Sequence, residues 1–533
     1  MKVFLDEVAT AARFLTRLPA FLRHPTDLDT ARRLVARRLE RREEQFIEHL
    51  RLAVFARPTS PYADLLQAAG CRPGDVEKLV RTEGVEGALS ALYRAGVYLT
   101  IDEFKGRRPA VRGTATISVS PERLSNPRSA LHVQARSGGS RGAGTPVVFD
   151  LAFIVGCGAD LALFLDARGG RAWTHATWEV PGGGSVFRML KLASIGAPPA
   201  RWFSQVDVAA PGLHPRYRWS ARLLRWAGAL SRVRLPRPLH APIADPLPIA
   251  RWMRELLDAG RTPHLMALAS SAVRLCQAAV ASGIDLGGAQ FTLMGEPTTA
   301  ARMDAIRRAG AAGVPRYGTV ECGPLGYGCL AATTPDEVHV VRDLQAVVQP
   351  GAEAARPDVP AQSLLLTALH PAAPFVLINV AMGDQATLRE RACGCPLEAR
   401  WPIHLEEIRS YEKLTAGGMT FLDTDVIRVL EETLPARFGG APTDYQLVER
   451  EGPHGRPQLV LLVHPRVGPL DAETVARSFL GAITQGSGPE RVMGLVWREA
   501  DLLRVERREP LTTRAGKILH LHAVAAPPPP ETS

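Results

Sequence analysis

Between residues 133 and 380, short apolar runs alternate with segments whose apolar residues recur three and four apart. The runs at 147–155, 291–294 and 364–368 suit buried strands, and the patterns at 249–257 and 300–309 suit helices that cover them. A chain patterned in this way buries its apolar surface by stacking α/β layers, so the expected fold class is α/β. Two flanking textures differ. Residues 1–106 read as mostly helical, for example at 31–54 and 76–92, and predict a helical N-terminal cap on a large body spanning 1–408. From 409 to 526 a compact α+β pattern predicts a smaller, mobile C-terminal domain. It has helices at 425–434 and 471–483, strands at 445–450 and 458–463, and a turn at Gly452, Pro453 and Gly455. The proline-bearing stretch 350–361 predicts a surface loop, and 527–533 a disordered proline-rich tail.

Composition removes several classes. Hydrophobic residues at 46% and charged residues at 22% are ordinary globular usage, which excludes wholesale disorder in this 533-residue chain. No apolar window reaches membrane-spanning length, and Asp6, Glu7, Arg13 and Arg17 interrupt the first 19 residues. Neither a membrane span nor a secretory leader is expected, and the predicted compartment is the cytoplasm. The formal charge of +10 would attract polyanions without choosing among them. The densest basic stretch, 32–42, is interleaved with Leu34, Val35 and Leu39 at helical spacing and predicts a solvated helix face. No aromatic-interleaved basic strip accompanies it, so nucleic acid is not an expected partner. Seven cysteines in a chain without a leader argue against a disulfide framework.

Three segments could carry chemistry together. The first is a loop holding Ser137, Gly138, Gly139, Ser140, Arg141 and Gly142 ahead of an apolar run. Glycines let backbone amides approach an anion closely, and the hydroxyls and the arginine add donors, so the loop can cradle phosphates. The second is Gly295-Glu296-Pro297 after an apolar run, and the third is Tyr317-Gly318-Thr319-Val320-Glu321. With Trp178 and the glycines after it, Ala269-Ser270-Ser271, Met382-Gly383-Asp384, Ile408-Arg409 and the Gly516-Lys517 segment, they follow one another in a fixed order over roughly residues 60–520. In that order the chain resembles the adenylate-forming (acyl-CoA synthetase) superfamily, and within it the phenylacetate-CoA ligase branch.

The resemblance implies ATP-dependent activation of a carboxylic acid to an acyl-adenylate, with release of pyrophosphate. Transfer to a thiol would follow, with CoA as the expected acceptor and an aryl or arylacetic acid as the expected substrate. Loading of a carrier protein or an amine is the alternative within enzymes, and a zinc-stabilised binding protein that has lost the reaction is the alternative outside them. The resemblance implies that Glu321 holds magnesium, that Tyr317, with Gly318 and Thr319, packs on the adenine and that Gly295, Glu296 and Pro297 line the base. Asp384 would bind the ribose with Arg409 nearby, and Lys517 would meet the carboxylate and the α-phosphate. Trp178, Gly182, Gly183 and Ser270 are expected at the acyl pocket. Monomer and homodimer stay open.

Cys329, His339, Cys393 and Cys395 form a second constellation. Three thiolates and an imidazole suit a closed structural zinc site, although reduced thiols without a metal remain the alternative. Cys322 is the substitute ligand for Cys329, while Cys71, Cys157 and Cys276 read as buried thiols. Three segments depart from the family pattern. The phosphate loop lacks the usual lysine, Asn379-Val380 replaces an arginine-tyrosine pair, and Tyr411 replaces the hinge aspartate.

Overall fold

A computed structural model describes residues 2–130, 132–136, 145–208, 216–411, 415–416, 419–420, 424–451, 457–484, 503–513 and 516–523. The predicted loop residues Ser137 to Gly142, the turn at Gly452, Pro453 and Gly455, and the tail 527–533 lie outside them.

The body is organised by one sheet of thirteen strands. Six run parallel in the spatial order Ala312–Thr319, Gln290–Met294, Pro263–Leu268, Thr174–Glu179, Arg201–Ser204 and Pro238–His240. At Ala312–Thr319 the sheet changes character, because the next strand, Gly323–Gly328, returns antiparallel through a tight turn that carries Glu321. The antiparallel part continues through Val338–Val340, Ile403–Ser410, Val380–Glu390, Ser363–Ala368 and Gln345–Val348. Helices cover both faces, so Thr174–Glu179 and Pro263–Leu268 are buried along their whole length. Leu247–Asp258 and Ala269–Ala281 pack against one apolar cluster, and Leu151–Ala167 and Gly183–Ala193 against another.

Two sequence expectations change here. The apolar run 147–155 divides into the strand Pro146–Phe149 and the start of the helix Leu151–Ala167, whose first turn is capped by Asp150 accepting from the Ala152 amide. The basic stretch 32–42 is only partly solvated. Arg38 is drawn into a buried cluster with Asp160 and Asp343, and Arg42 reaches Glu86 and the Arg342 carbonyl. The helical cap is therefore bolted to the body by ion pairs. The strand Leu99–Thr100 also joins the main sheet beside Val380 and Ala381. Asn379 completes the junction from a left-handed backbone conformation, φ 50°, where its side-chain amide donates to the Leu89 and Val97 carbonyls.

The small domain has its own core, in which Val426, Leu447, Leu461 and Phe479 are buried together. Its four-stranded sheet runs Leu503–Arg507, Pro457–Val463, Tyr445–Glu451, Leu521–Ala523, with the helix Ala472–Thr484 packed alongside Leu503–Arg507. The strand Ile403–Ser410 runs across the expected boundary at 408. Among the described residues, no helix is long and apolar enough to cross a membrane.

Candidate active site

In an open parallel sheet, ligands gather outside the carboxyl ends of the strands, near the point where strand order or direction changes. The structure brings the predicted motifs to that edge. Gly295 follows Gln290–Met294, Tyr317 lies near the end of Ala312–Thr319, and Glu321 occupies the turn where the sheet reverses. The strands Val133–Arg136 and Pro146–Phe149, which flank the predicted phosphate loop, pair antiparallel. Gly183 packs so closely on the Gln134 carbonyl that a methyl group would not fit, which sets the helix Gly183–Ala193 against the base of this hairpin.

Lys517 arrives at the same edge from the small domain. Its Nζ lies 3.5 Å from the point that a Cβ on Gly295 would occupy, and Gly295 itself has φ 78°. Three features fix the lysine. Thr513 accepts the Lys517 amide on its hydroxyl at 3.1 Å and donates its own amide to the Lys517 carbonyl at 2.8 Å. Gly516 turns with φ 78° against the side-chain amide of Gln205, which in turn donates to Ser271 at 3.0 Å. Finally, the Ile518 amide donates to Glu296 at 2.7 Å.

The Glu296 carboxylate is buried and also accepts from the Ser270 amide and hydroxyl at 2.7 and 2.9 Å and from Arg302 at 3.2 Å. Ser270 is correspondingly fully buried. Arg302, only 1% exposed, also pairs with Glu431 of the small domain at 2.8 Å, and Glu431 in turn bonds His520 and Thr299. Burial opposes charge on Glu431, yet Arg302 and His520 hold its carboxyl down to about 2. A dry, fully paired network thus joins the two domains beside Lys517.

On the other side of Gly295, the Tyr317 hydroxyl donates to Asp384 at 2.9 Å. Burial, with Asp384 beside it, pushes the Tyr317 phenol well up, so it acts as a neutral donor. Arg409 does not turn to Asp384. The register sets Asp384 opposite Ser410 and Arg409 opposite Gln385, and because neighbours on a strand face opposite ways, Arg409 pairs instead with Asp336 at 2.6 Å. Tyr411, in the expected hinge position, gives its amide to the Gly383 carbonyl at 3.0 Å. Trp178 is fully buried, and its indole donates to the Ala241 carbonyl at 2.8 Å. Gly182 precedes the helix Gly183–Ala193 and leaves its first turn to Ser185.

The cysteine–histidine constellation also assembles. One ligand atom from each of Cys329, His339, Cys393 and Cys395 falls within 4.8 Å of the other three. The strands Val338–Val340 and Ile403–Ser410 pair here and bring together segments about sixty residues apart. Burial pushes His339 down to about 4, so its ring is neutral, and its Nδ1 faces the Trp401 carbonyl at 2.6 Å while Nε2 points at Cys395. Cys322 is not part of this group, since it bonds Thr319 at 3.0 Å. Cys157 and Cys276 are buried as expected, and Cys71 is half-buried.

No family model and no curated protein matches the sequence. Solved structures do. The chain is similar to 2-hydroxyisobutyryl-CoA ligase in its postadenylation state with R3-HIB-AMP, at 14% identity and a TM-score of 0.53 over 95% of this chain and 91% of that one. It has the adenylate-forming ligase fold. A second solved structure similar to this chain is the anthranilate CoA ligase AuaEII with anthranoyl-AMP, at 12% identity and a TM-score of 0.44 over 77% and 68% of the two chains. The sequence points to Lys517, Tyr317, Asp384 and the cysteine–histidine group, but not to Thr513, Gln205, Arg302, Glu431 and His520, which surround Lys517 and Glu296. The last three lie up to 218 residues apart and share no local motif.

Proposed function

We propose that this protein is an AMP-forming acid–thiol ligase. A carboxylate oxygen attacks the α-phosphorus of ATP, the bond from that phosphorus to the bridging oxygen breaks, and pyrophosphate leaves. A thiol, with CoA the expected acceptor, then attacks the acyl carbon and AMP departs. The observation that carries the reading is the docked Lys517. Its ammonium stands over the Gly295 turn, beyond the carboxyl end of the strand Gln290–Met294, where two anions meeting in the transition state would require a fixed cation. A fold that had kept only binding would have no reason to hold a buried carboxylate, Glu296, against the backbone of that lysine's loop.

Glu321 would hold magnesium, because it is a largely buried carboxylate in the turn where the sheet reverses. Such an ion would supply charge neutralisation for the triphosphate. Aryl and arylacetic acids are the substrates to try first. Acid-dependent exchange of labelled pyrophosphate into ATP, run over a panel of aryl, arylacetic and fatty acids, tests the reading. Exchange that requires a particular acid supports it, and folded protein that exchanges with none of them contradicts it.

The Cys329, His339, Cys393 and Cys395 group fits a structural zinc ion, since three soft sulfurs and a neutral imidazole already converge, and a carbonyl fixes the ring that would bind. Arg391 donates to the Cys329 sulfur at 3.6 Å and to Glu337. Replacing Arg391 with methionine should weaken zinc binding by roughly 10- to 100-fold, measured by competition against a chelating dye. An unchanged affinity would remove Arg391 from the site, and the absence of bound metal in purified wild-type protein would remove the site itself.

A further inference from the structure

From residue 208 to residue 244 the chain contains no aspartate or glutamate and seven arginines: Arg216, Arg218, Arg222, Arg225, Arg232, Arg234 and Arg237. The helix Arg216–Leu230 lies within this stretch. Its inner side buries Leu224 and Ala227 and meets the helix Lys2–Arg23, where the Ser231 hydroxyl reaches the Pro19 carbonyl. Its outer side leaves Trp226 and Leu230, one turn apart, 72% and 71% exposed, more than any other large apolar residue described. The chain then reverses at Arg232, φ 59°, and the Val233 amide returns to the Gly228 carbonyl at 2.9 Å. Leu235 packs against Gly228, so the exposed Arg232, Arg234 and Arg237 lie alongside the helix. A groove of about 590 Å³, lined by Pro198, Pro199, Arg201, Arg234, Leu235 and Arg237, continues the same surface.

We propose that this face docks the protein on an anionic lipid bilayer. Trp226 and Leu230 enter the boundary between headgroups and acyl chains, while Arg225, Arg232, Arg234 and Arg237 meet lipid phosphates. An indole is at home at headgroup depth, and a helix face that combines tryptophan and leucine with arginine is the pattern of interfacial binding. Seven arginines without an aspartate or glutamate in the segment select an anionic surface. Nucleic acid or an acidic protein would match that charge. However, single-stranded nucleic acid is gripped by aromatic platforms inside a groove, whereas Trp226 and Leu230 project from the outside of a helix already packed on the body.

Flotation of the full chain with vesicles tests this. Vesicles containing 30% phosphatidylglycerol should bind at least tenfold more tightly than pure phosphatidylcholine, with the difference shrinking as salt rises. Trp226→Ala with Leu230→Ser, both exposed positions, should reduce binding about tenfold or more at unchanged melting temperature. Arg225→Gln with Arg234→Gln and Arg237→Gln should do the same and flatten the salt dependence. Quenching of tryptophan fluorescence by lipids brominated along the acyl chain should largely disappear in Trp226→Phe. Equal binding to the two vesicle types overturns the proposal. So does wild-type vesicle binding by either multiple variant, including the case where the arginine variant instead loses affinity for polyuridylate RNA or an acidic acyl-carrier protein.

Discussion

Lys517→Ala should lower acid-dependent pyrophosphate exchange by roughly 10²- to 10³-fold, the loss expected when one fixed donor is removed from a developing charge. The protein spends considerable structure on this one ammonium. Thr513 clamps the backbone of Lys517 on both sides, Gly516 supplies the left-handed turn, and Glu296 receives the next amide. The loss should be confined to the adenylation half-reaction. When a synthetic acyl-adenylate is supplied, capture of the acyl group by the thiol breaks the bond between the acyl carbon and AMP, and no pyrophosphate has to be expelled. That half should run near the wild-type rate. Lys517→Arg should not restore exchange, because a planar fork cannot take the place of a compact charge packed above Gly295. If both halves fall together, Lys517 acts through folding or docking, and its assignment to adenylation fails.

The layered α/β body was legible because period and turn chemistry are local. The strand Gln290–Met294 and the helix Ala300–Arg308 fall within a residue of where the apolar pattern puts them. The run 147–155 was misread for a physical reason. A helix buried almost all round, as Leu151–Ala167 is, has no polar face to reveal its period, and only Asp150 marked the change. Arg38 and Arg42 look like surface residues in sequence because the partners that draw them inward, Asp160, Asp343 and Glu86, lie 44 to more than 300 residues away. The cysteine–histidine group could be recognised from residue type alone, since few structures need three thiols and an imidazole in one place. Glu296 shows the opposite limit. Its motif marks the turn after an apolar strand, but which backbone amide of a distant segment lies over the carboxylate is not encoded in any local pattern.

Arg302→Met should release the small domain. The substitution keeps the volume but leaves Glu296 and Glu431 facing each other across a buried interface, and breaking such a pair costs about 3–5 kcal/mol, or roughly 10²- to 10⁴-fold in the docked population. Exchange should fall while transfer from a supplied acyl-adenylate, which does not use docked Lys517, falls less. The pH profile separates this from simple loss of stability. In the wild type, Glu431 is held well below its ordinary value, so its contribution to docking is complete above about pH 5 and would be lost only as pH falls towards 2. Without the guanidinium, His520 and Thr299 alone oppose burial, so the Glu431 carboxyl rises from its wild-type value and the domain docks better when that group is protonated. Exchange by Arg302→Met should therefore recover as pH drops from 8 to 5, relative to wild type, and Arg302→Met combined with Glu431→Gln should be more active than Arg302→Met alone at pH 8. A loss independent of pH, unrelieved by the second substitution, would mean that Arg302 supports the body's packing and does not hold the domain that carries Lys517.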